Sequence, residues 1–227
     1  MSRYRWLLFD ADNTLFDFDR AEAEALRQTF DQHGIAFDHA WLPVYQRVNG
    51  QMWQMLEAGE ITPAVLRTRR VELLFAELGV EADATDFGAR YLPNLALQPH
   101  LTEDAQSVVE ALHTTHRIAI ITNGLGDVQR PRLERSVIRE HIAEIVISDE
   151  VGCAKPDRAI FDIAFARMGS PARHDVLMIG DSLRSDIAGG IGYGIATAWY
   201  NPLGLPGDAA IRPTYELRRL RDLLALT

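Results

Sequence analysis

The sequence predicts an α/β fold in which helices cover both faces of a parallel sheet and a block of helices is inserted after the first strand. Three observations support this prediction. Short apolar runs alternate with helical patterns in the second part of the chain, and no strand pattern occurs between about residues 18 and 97. The length of 227 residues also exceeds the roughly 150 residues of a typical domain, as expected for one domain carrying an insertion.

The first predicted strand covers residues 4–9, where the run YRWLLF is aromatic and aliphatic throughout. A short continuous apolar run of this kind is typical of a strand buried on both faces. It stops at the acidic, turn-prone segment DADNT, which begins at Asp10 and includes Asp12. We therefore expect a buried strand followed by a loop that carries two carboxylates.

The next part of the chain is predicted to be entirely helical. Amphipathic patterns cover residues 20–32, 38–57, 63–78 and 83–92. In the third helix, Pro63 occupies the first position, where its missing N–H costs nothing, and Gly79 ends the pattern. The inward-facing positions of that helix follow at helical spacing: Leu66, Arg70, Leu73, Leu74 and Leu78.

After residue 97 helices and strands alternate with short connections. We expect helices at residues 102–113, 127–136, 156–168, 185–191 and 216–226, and strands at 117–121, 145–148, 176–179 and 195–199. This alternation predicts a parallel sheet to which the first strand also belongs. The chain is thus predicted to consist of a core of residues 1–16 and 93–227 and a helical insertion of residues 17–92.

Small polar or charged residues follow four of the predicted strands. They are Asp10 and Asp12 after the first strand, Thr122, Asn123 and Gly124 after the second, Lys155 after the third, and Asp181 and Asp186 after the fourth. Ligands of open parallel sheets collect at the carboxyl ends of the strands. We therefore expect these groups to converge on one crevice.

The chemistry of this crevice points to phosphate. Four carboxylates at one edge would repel each other, so they require a cation, and oxygen ligands without His or Cys favour Mg²⁺, which commonly binds a substrate phosphate as well. Lys155 precedes Pro156 at a predicted helix start, where an anion would be held by the ammonium and by free N–H groups. Thr122 and the backbone at Asn123 add neutral donors. Together these groups suit phosphoryl transfer through an aspartyl-phosphate.

Four motifs in this order carry a family resemblance. They are Asp10-x-Asp12-x-Thr14, Thr122-Asn123 after an apolar run, Lys155-Pro156, and Gly180-Asp181-Ser182-x-x-x-Asp186. In order and spacing they resemble the motifs of the haloacid dehalogenase-like hydrolase superfamily, and the match spans residues 10–186. The resemblance implies a Rossmann-like core with an inserted α-helical cap domain.

The resemblance also implies a role for each motif residue. Asp10 is expected to be the nucleophile and Asp12 the general acid and then base, while Thr122, Asn123 and Lys155 bind the phosphoryl group. Mg²⁺ is expected on Asp10, Asp181 and the backbone carbonyl of Asp12, with Asp186 supporting it. Since dehalogenases of the superfamily lack the second aspartate, Asp12 favours a phosphatase.

A finer resemblance concerns the substrate. The runs FDADNTLFDFD, VNGQMW and ISDEVGCAKPDRAIFDIA are similar to the branch of capped phosphatases that act as pyrimidine 5′-nucleotidases. This similarity implies a nucleoside monophosphate as substrate, and Phe18, Asn49 and Trp53 are candidate base contacts. Two alternatives stay open: a phosphoglycolate or sugar-phosphate phosphatase or phosphomutase on the same core, and a phosphate-binding regulator without turnover.

Each of these residues also fits an ordinary structural role when it is taken alone. Asp10 and Asp12 could cap a turn, Asp186 could be a surface carboxylate, and Trp53 could belong to a helix core. The joint occurrence of the motifs in one order favours the functional interpretation.

Composition excludes several other functions. The net charge of −9 argues against a nucleic-acid partner, and no apolar stretch approaches the roughly 18 residues of a membrane span. The amino-terminal apolar run is too short for a signal peptide, and the single cysteine, Cys153, forms no disulfide within the chain, so we expect a cytoplasmic protein. P-loop, dinucleotide-binding and serine-hydrolase motifs are absent. The oligomeric state is left open between a monomer and a weak dimer.

Overall fold

Six parallel strands form one sheet in the order β3-β2-β1-β4-β5-β6 in the computed structural model, which describes residues 3–227. The strands are β1 Trp6–Phe9, β2 Arg117–Thr122, β3 Ile142–Ile147, β4 Val176–Gly180, β5 Ala196–Tyr200 and β6 Tyr215–Leu217. The helices are α1 Phe18–Gln32, α2 Trp41–Glu57, α3 Pro63–Leu78, α4 Ala84–Ala96, α5 Ala105–Leu112, α6 Gly126–Glu134, α7 Ser148–Val151, α8 Arg158–Arg167 and α9 Ala188–Tyr193. The predicted α/β class with a Rossmann-like sheet is confirmed.

Both faces of the sheet are buried, as the continuous apolar strands predict. On β1, Leu7 and Phe9 pack into one hydrophobic cluster with α5, whereas Trp6 and Leu8 pack into another with α8. Successive side chains of a strand point to opposite faces, so one apolar run supplies both layers. The strand that begins the chain consequently lies at the centre of the sheet, between β2 and β4.

Helices α1 to α4, which we call the cap helices, share a third hydrophobic cluster. Phe30 packs against Phe75 and Phe87 at its centre, with ring centroids 6.2 and 4.7 Å away. Leu125 and Val128, which follow β2, join the same cluster. The cap helices therefore pack on the segment that leads into α6, directly above the carboxyl ends of the strands.

The chain enters and leaves the cap helices through two adjacent segments. Phe16 and Leu101 form an isolated antiparallel bridge, and the Thr102 hydroxyl donates to the carbonyl oxygen of Thr14 at 2.7 Å. α4 ends at Ala96, four residues beyond the predicted end at residue 92.

The predicted start of the helix at residues 156–168 is wrong. The helix expected to open at Pro156 begins at Arg158, with the Asp157 side chain accepting from the backbone N–H of Ala159 at 2.9 Å. Lys155 therefore lies in the preceding loop, next to a cis peptide bond, and is not at the amino terminus of a helix.

The final predicted helix at residues 216–226 is also wrong. Residues Tyr215–Leu217 form β6, which pairs in parallel with β5, and Leu220–Ala225 form a 3₁₀ helix. Leu217, Leu220 and Leu223 are buried in the same hydrophobic cluster, so the spacing that resembles an α-helix is produced by a strand and a tighter turn. The segment expected as a helix from residue 185 begins as a π-helical turn, Leu183–Ile187, and continues as α9.

Within residues 3–227, no helix has both the length and the apolar composition that crossing a bilayer requires.

Candidate active site

Three neighbouring strands bring their carboxyl ends to one crevice. Asp10 follows β1, Thr122 ends β2, and Asp181 follows β4. The backbone N–H of Asp10 donates to the carbonyl oxygen of Ile179 at 2.8 Å, which continues the pairing of β1 with β4 up to the site. Because strand order reverses direction at β1, this crevice lies at the switch point of the sheet, where ligands of such folds bind.

Lys155 reaches the crevice from the loop after α7 and lies at its centre. Its Nζ donates to Asp10 Oδ1 and, at 2.8 Å each, contacts Asp186 Oδ1 and the carbonyl oxygen of Ile121. The residue is only 1% exposed. Burial by itself lowers the pKa of the Lys155 ammonium, but the two carboxylates outweigh burial and hold that pKa above its ordinary value. Lys155 is therefore charged at neutral pH.

Asp10, Asp181 and Asp186 form a carboxylate cluster in which one oxygen of each lies within 4.8 Å of the others. Burial raises the pKa of Asp10, and so does repulsion from Asp186 and Asp181, against the attraction of Lys155. Burial and repulsion from Asp186 raise the pKa of Asp181 to about 7. Three carboxylates face one ammonium, so a divalent cation would balance the excess negative charge. The residues present thus fit a Mg²⁺ site.

Gly180 explains the motif spacing between Asp181 and Asp186. A Cβ atom at position 180 would lie 2.2 Å from Asp186 Oδ2, which is too close for any other residue. The same oxygen accepts from the backbone N–H of Ser182 at 3.0 Å. The tight turn after β4 therefore presses the Asp186 carboxylate against the strand and aims it at Lys155.

We expect Mg²⁺ to stabilise the protein strongly at pH 8 and weakly at pH 5. The pKa of Asp181 is raised to about 7, so its stabilising contribution is complete below its unfolded value near 4 and is lost as the pH rises through 7. The metal compensates the charge that then appears. At a concentration about 100 times its Kd, it should raise Tm at pH 8 by roughly 5–10 °C.

Thermal unfolding with and without Mg²⁺ at both pH values measures this effect. The matched control is Asp181→Asn, which should lose most of the shift at pH 8. Equal shifts at pH 5 and pH 8, or an undiminished shift in Asp181→Asn, would contradict a metal site at this cluster.

The Asp12 side chain lies outside the carboxylate cluster and is held by α6. Arg132 Nη1 donates to Asp12 Oδ1 at 2.6 Å, and Gln129 Nε2 donates to Asp12 Oδ2 at 2.7 Å. Arg132 is 0% exposed, and its guanidinium carbon lies 4.8 Å from the centre of the Phe16 ring. A Cβ atom at Gly124 would lie 2.7 Å from Gln129 Nε2, so the glycine after Asn123 leaves room for this hydrogen bond.

Thr122 and Asn123 lie at the carboxyl end of β2. Thr122 is buried at the end of β2. The Asn123 carboxamide binds the backbone of Lys155 in both directions, since Oδ1 accepts from its N–H at 2.8 Å and Nδ2 donates to its carbonyl at 2.9 Å. Nδ2 also donates to Glu57 of α2 at 2.9 Å. The Asn123 side chain thus fixes the loop that carries Lys155.

A cavity of about 430 Å³ extends from Asp12 and Asn123 into the cap helices. Its walls are apolar at Leu92, Leu95, Leu125 and Val128, and the three residues proposed from sequence to contact a base, Phe18, Asn49 and Trp53, all line it. The volume lies within the range of small-molecule sites.

Three buried polar side chains line the same cavity, one from each of α1, α2 and α3. Arg70 Nη1 donates to Asn49 Oδ1 at 3.1 Å, and Asn49 Nδ2 donates to Glu22 Oε1 at 3.0 Å. Burial and the nearby Asp19 raise the pKa of Glu22 to about 7, against the attraction of Arg70. The cavity therefore combines apolar walls with one polar patch.

Sequence reasoning did not assign a role to Arg132, Gln129, Arg70 or Glu22. A signal for the two arginines is nevertheless present. Arg132 lies on the buried stripe of α6 with Val128, and Arg70 on the inward stripe of α3 with Leu66. An arginine at a core-facing helical position needs a buried partner, and in both cases the partner lines the crevice or its cavity.

The chain is similar in sequence to a known protein family and to characterised members of it. The family model for haloacid dehalogenase-like hydrolases matches residues 4–194. The chain is 36% identical to pyrimidine 5′-nucleotidase YjjG of Escherichia coli over 97% of its own length and 96% of that protein. It is 35% identical to pyrimidine 5′-nucleotidase PynA of Streptococcus pneumoniae over 97% and 94% of the two chains.

A solved structure extends the similarity to the whole fold. The HAD-hydrolase YfnB of Bacillus subtilis, in a crystal structure bound to magnesium, superimposes with a TM-score of 0.92 at 34% identity and covers 99% of both chains. The superposition therefore covers the cap helices as well as the sheet.

Proposed function

Because the chain belongs to the haloacid dehalogenase-like hydrolase family, we propose that it is a magnesium-dependent phosphomonoesterase that hydrolyses pyrimidine nucleoside 5′-monophosphates through an aspartyl-phosphate. The observation that carries the proposal is the buried Asp10 carboxylate, which lies beside Lys155 and within 4.8 Å of two further carboxylates at the switch point of the sheet. The similarity to two pyrimidine 5′-nucleotidases supports the substrate class.

In the first proposed step an Asp10 oxygen attacks the phosphorus atom. The new Asp10 O–P bond forms as the ester O–P bond breaks, and Asp12 gives its proton to the leaving oxygen of the nucleoside. Lys155, whose ammonium contacts Asp10, neutralises charge on the phosphoryl oxygens, and the hydroxyl of Thr122, buried at the end of the neighbouring strand β2, donates to one of them. The backbone N–H of Asn123 is a further donor to the same group.

In the second step water attacks the aspartyl-phosphate. Asp12 takes a proton from that water, the Asp10 O–P bond breaks, and phosphate leaves with Asp10 restored. Asp12 is positioned for this role by Arg132 and Gln129, which together occupy both of its oxygens. Giving a proton to the leaving group requires one of these two contacts to open.

Asp10, Asp181 and Asp186, together with the backbone carbonyl of Asp12, would hold Mg²⁺. When bound, the ion supplies positive charge that offsets repulsion between the nucleophilic carboxylate and the phosphate. Asp186 also contacts Lys155 at 2.8 Å and so keeps the ammonium beside Asp10.

We also propose that the chain consists of a core of residues 1–16 and 93–227 and a cap of residues 17–92. Helix α4 crosses the second boundary. Glu57 joins the cap helices to Asn123 at 2.9 Å, and Arg67 of α3 donates to both oxygens of Asp127 at 2.6 and 3.0 Å. These contacts hold the cap helices over the crevice, and closure there would exclude water from the ester until it breaks.

A substrate panel tests the proposed specificity. We expect phosphate release from UMP, dUMP and dTMP to exceed release from AMP, ribose 5-phosphate and phosphoglycolate in kcat/KM, and all of it to require Mg²⁺. The apolar cavity beside Asp12 gives the base a place that a small phosphate ester leaves empty. Equal rates across the panel, or activity confined to sugar phosphates or phosphoglycolate, would reject the nucleotidase assignment. No Mg²⁺-dependent release from any ester would favour a phosphate-binding regulator.

A further inference from the structure

Arg70 is a buried cation whose hydrogen-bonding capacity is only partly used. The residue is 2% exposed, and its Nη1 donates to Asn49. No group within residues 3–227 accepts a hydrogen bond from its Nε or Nη2. One face of the guanidinium is covered by the Tyr91 ring, whose centre lies 5.1 Å from Cζ. Two charged donors are therefore buried without an acceptor, and a ligand in the cavity reaches them only with a shift of the guanidinium.

Such an arrangement is costly for the protein alone. A buried donor without a partner loses its hydration and gains nothing in return, and the loss is larger for charged groups. Asn49 Oδ1 accepts from Arg70 Nη1, and Asn49 Nδ2 donates to Glu22 Oε1, so this chain of hydrogen bonds uses only one of the donor atoms of the arginine. Arg132 also has Nε and Nη2 without an acceptor, but its Nη1 pairs with the Asp12 carboxylate, whereas the hydrogen bond of Arg70 goes to a neutral carboxamide. Arg70 therefore has the capacity to bind a further acceptor that the protein does not itself contain.

The position of Arg70 indicates which part of a substrate would carry the hydrogen-bond acceptor. Arg70 lines the same cavity as Asp12, the proposed proton donor to the leaving group, so a leaving group in this cavity extends from Asp12 toward Arg70. Phe18 and Trp53 add aromatic surface to the cavity, and Leu92 and Leu95 add apolar surface. Flat apolar walls with a charged donor among them suit a planar ring that carries a carbonyl oxygen.

The structure thus deepens the nucleotidase assignment, on which this inference rests. We propose that Arg70, held by Asn49 and Glu22, recognises the pyrimidine base by donating to its 2-carbonyl oxygen. Uracil, thymine and cytosine all carry this oxygen, whereas adenine has no carbonyl group. One arginine therefore accounts for acceptance of all three pyrimidines and for discrimination against adenine.

Arg70→Gln tests the proposal with UMP and ribose 5-phosphate as paired substrates. Losing a charge-assisted hydrogen bond to the base should lower kcat/KM for UMP by about 10- to 100-fold, mainly through KM, and leave ribose 5-phosphate within about threefold. The matched control is Arg69→Gln, one position earlier on α3, where the side chain is exposed and pairs with Glu72 at 2.8 Å. It should change neither value. Tm is measured for both variants.

The unmodified enzyme provides a second test that needs no variant to fold. Sulfur is a weaker acceptor than oxygen, so 2-thio-UMP should show a kcat/KM at least about fivefold below that of UMP. The analogue 4-thio-UMP carries the same atom at the other carbonyl position and should stay within about twofold of UMP.

The outcomes separate this inference from the function on which it rests. A UMP-selective enzyme that keeps its selectivity in Arg70→Gln, or that hydrolyses 2-thio-UMP as well as UMP, overturns the role of Arg70 alone. Selectivity lost in Arg70→Gln, or 2-thio-UMP impaired relative to 4-thio-UMP, supports it. Equal activity of the wild type on UMP and ribose 5-phosphate rejects the nucleotidase assignment and this inference together.

Discussion

Replacing Asp10 by asparagine is expected to leave a folded protein that releases no measurable phosphate. The amide keeps the shape of the side chain but lacks a nucleophilic oxygen anion, so kcat on UMP and on p-nitrophenyl phosphate should fall by at least about a thousandfold, or about 4 kcal/mol in the barrier. Stability should not fall with it at pH 8. Burial and two neighbouring carboxylates raise the pKa of Asp10, and removing its charge relieves that repulsion.

Steady-state rates together with thermal unfolding at pH 8 measure both parts of this prediction. Asp175→Asn is the matched control, because Asp175 lies before β4 at the opposite end of the same sheet. It should keep wild-type turnover. Near-normal activity of Asp10→Asn would show that no aspartyl-phosphate forms at this position.

Replacing Lys155 by methionine is expected to damage both stability and turnover. Its Nζ contacts Asp10, Asp186 and the Ile121 carbonyl, and no other cation contacts the carboxylate cluster among residues 3–227. Removing one partner of a buried ion pair leaves uncompensated charge, which typically costs about 3–5 kcal/mol. The loss should be largest at pH 8, where the carboxylates are ionised, and Mg²⁺ should restore part of the stability without restoring turnover.

Urea unfolding at pH 8 and pH 5, with and without Mg²⁺, measures this loss. Lys155→Arg should also be impaired, because the wider planar guanidinium does not fit the space of a compact ammonium with three oxygen contacts. The control is Arg158→Met at the exposed start of α8. A Lys155→Met protein as stable as the wild type at pH 8, with turnover intact, would contradict the central role of this lysine.

Much of the fold could be predicted because apolar patterns report burial directly. The run at β1 lies between two strands and buries both faces, which is why it reads as continuously apolar. β6 could not be predicted. It has only three residues, lies at the sheet edge next to β5 alone, and continues into leucines whose spacing also suits a helix.

Part of the candidate site could likewise be predicted from the sequence and part could not. Motif order and spacing predicted that Asp10, Asp181, Asp186 and Lys155 lie together, because all four follow strands within a short segment of chain and parallel strands end at one edge. The helix expected to start at Pro156 begins two residues later, at Arg158, because Asp157 caps it, and Lys155 is held by the Asn123 carboxamide and not by a helix terminus.

The sequence alone determined the α/β class and the position of the helical block, and it gave the set of residues proposed to carry phosphoryl chemistry. The tertiary structure decided how those charges are compensated. Lys155 is 145 positions from Asp10, and Arg132 is 120 positions from Asp12, so neither pairing follows from local pattern. Only strand register and the packing of α6 beneath the cap helices bring these groups within hydrogen-bonding distance, and buried charges must find partners wherever the fold places them.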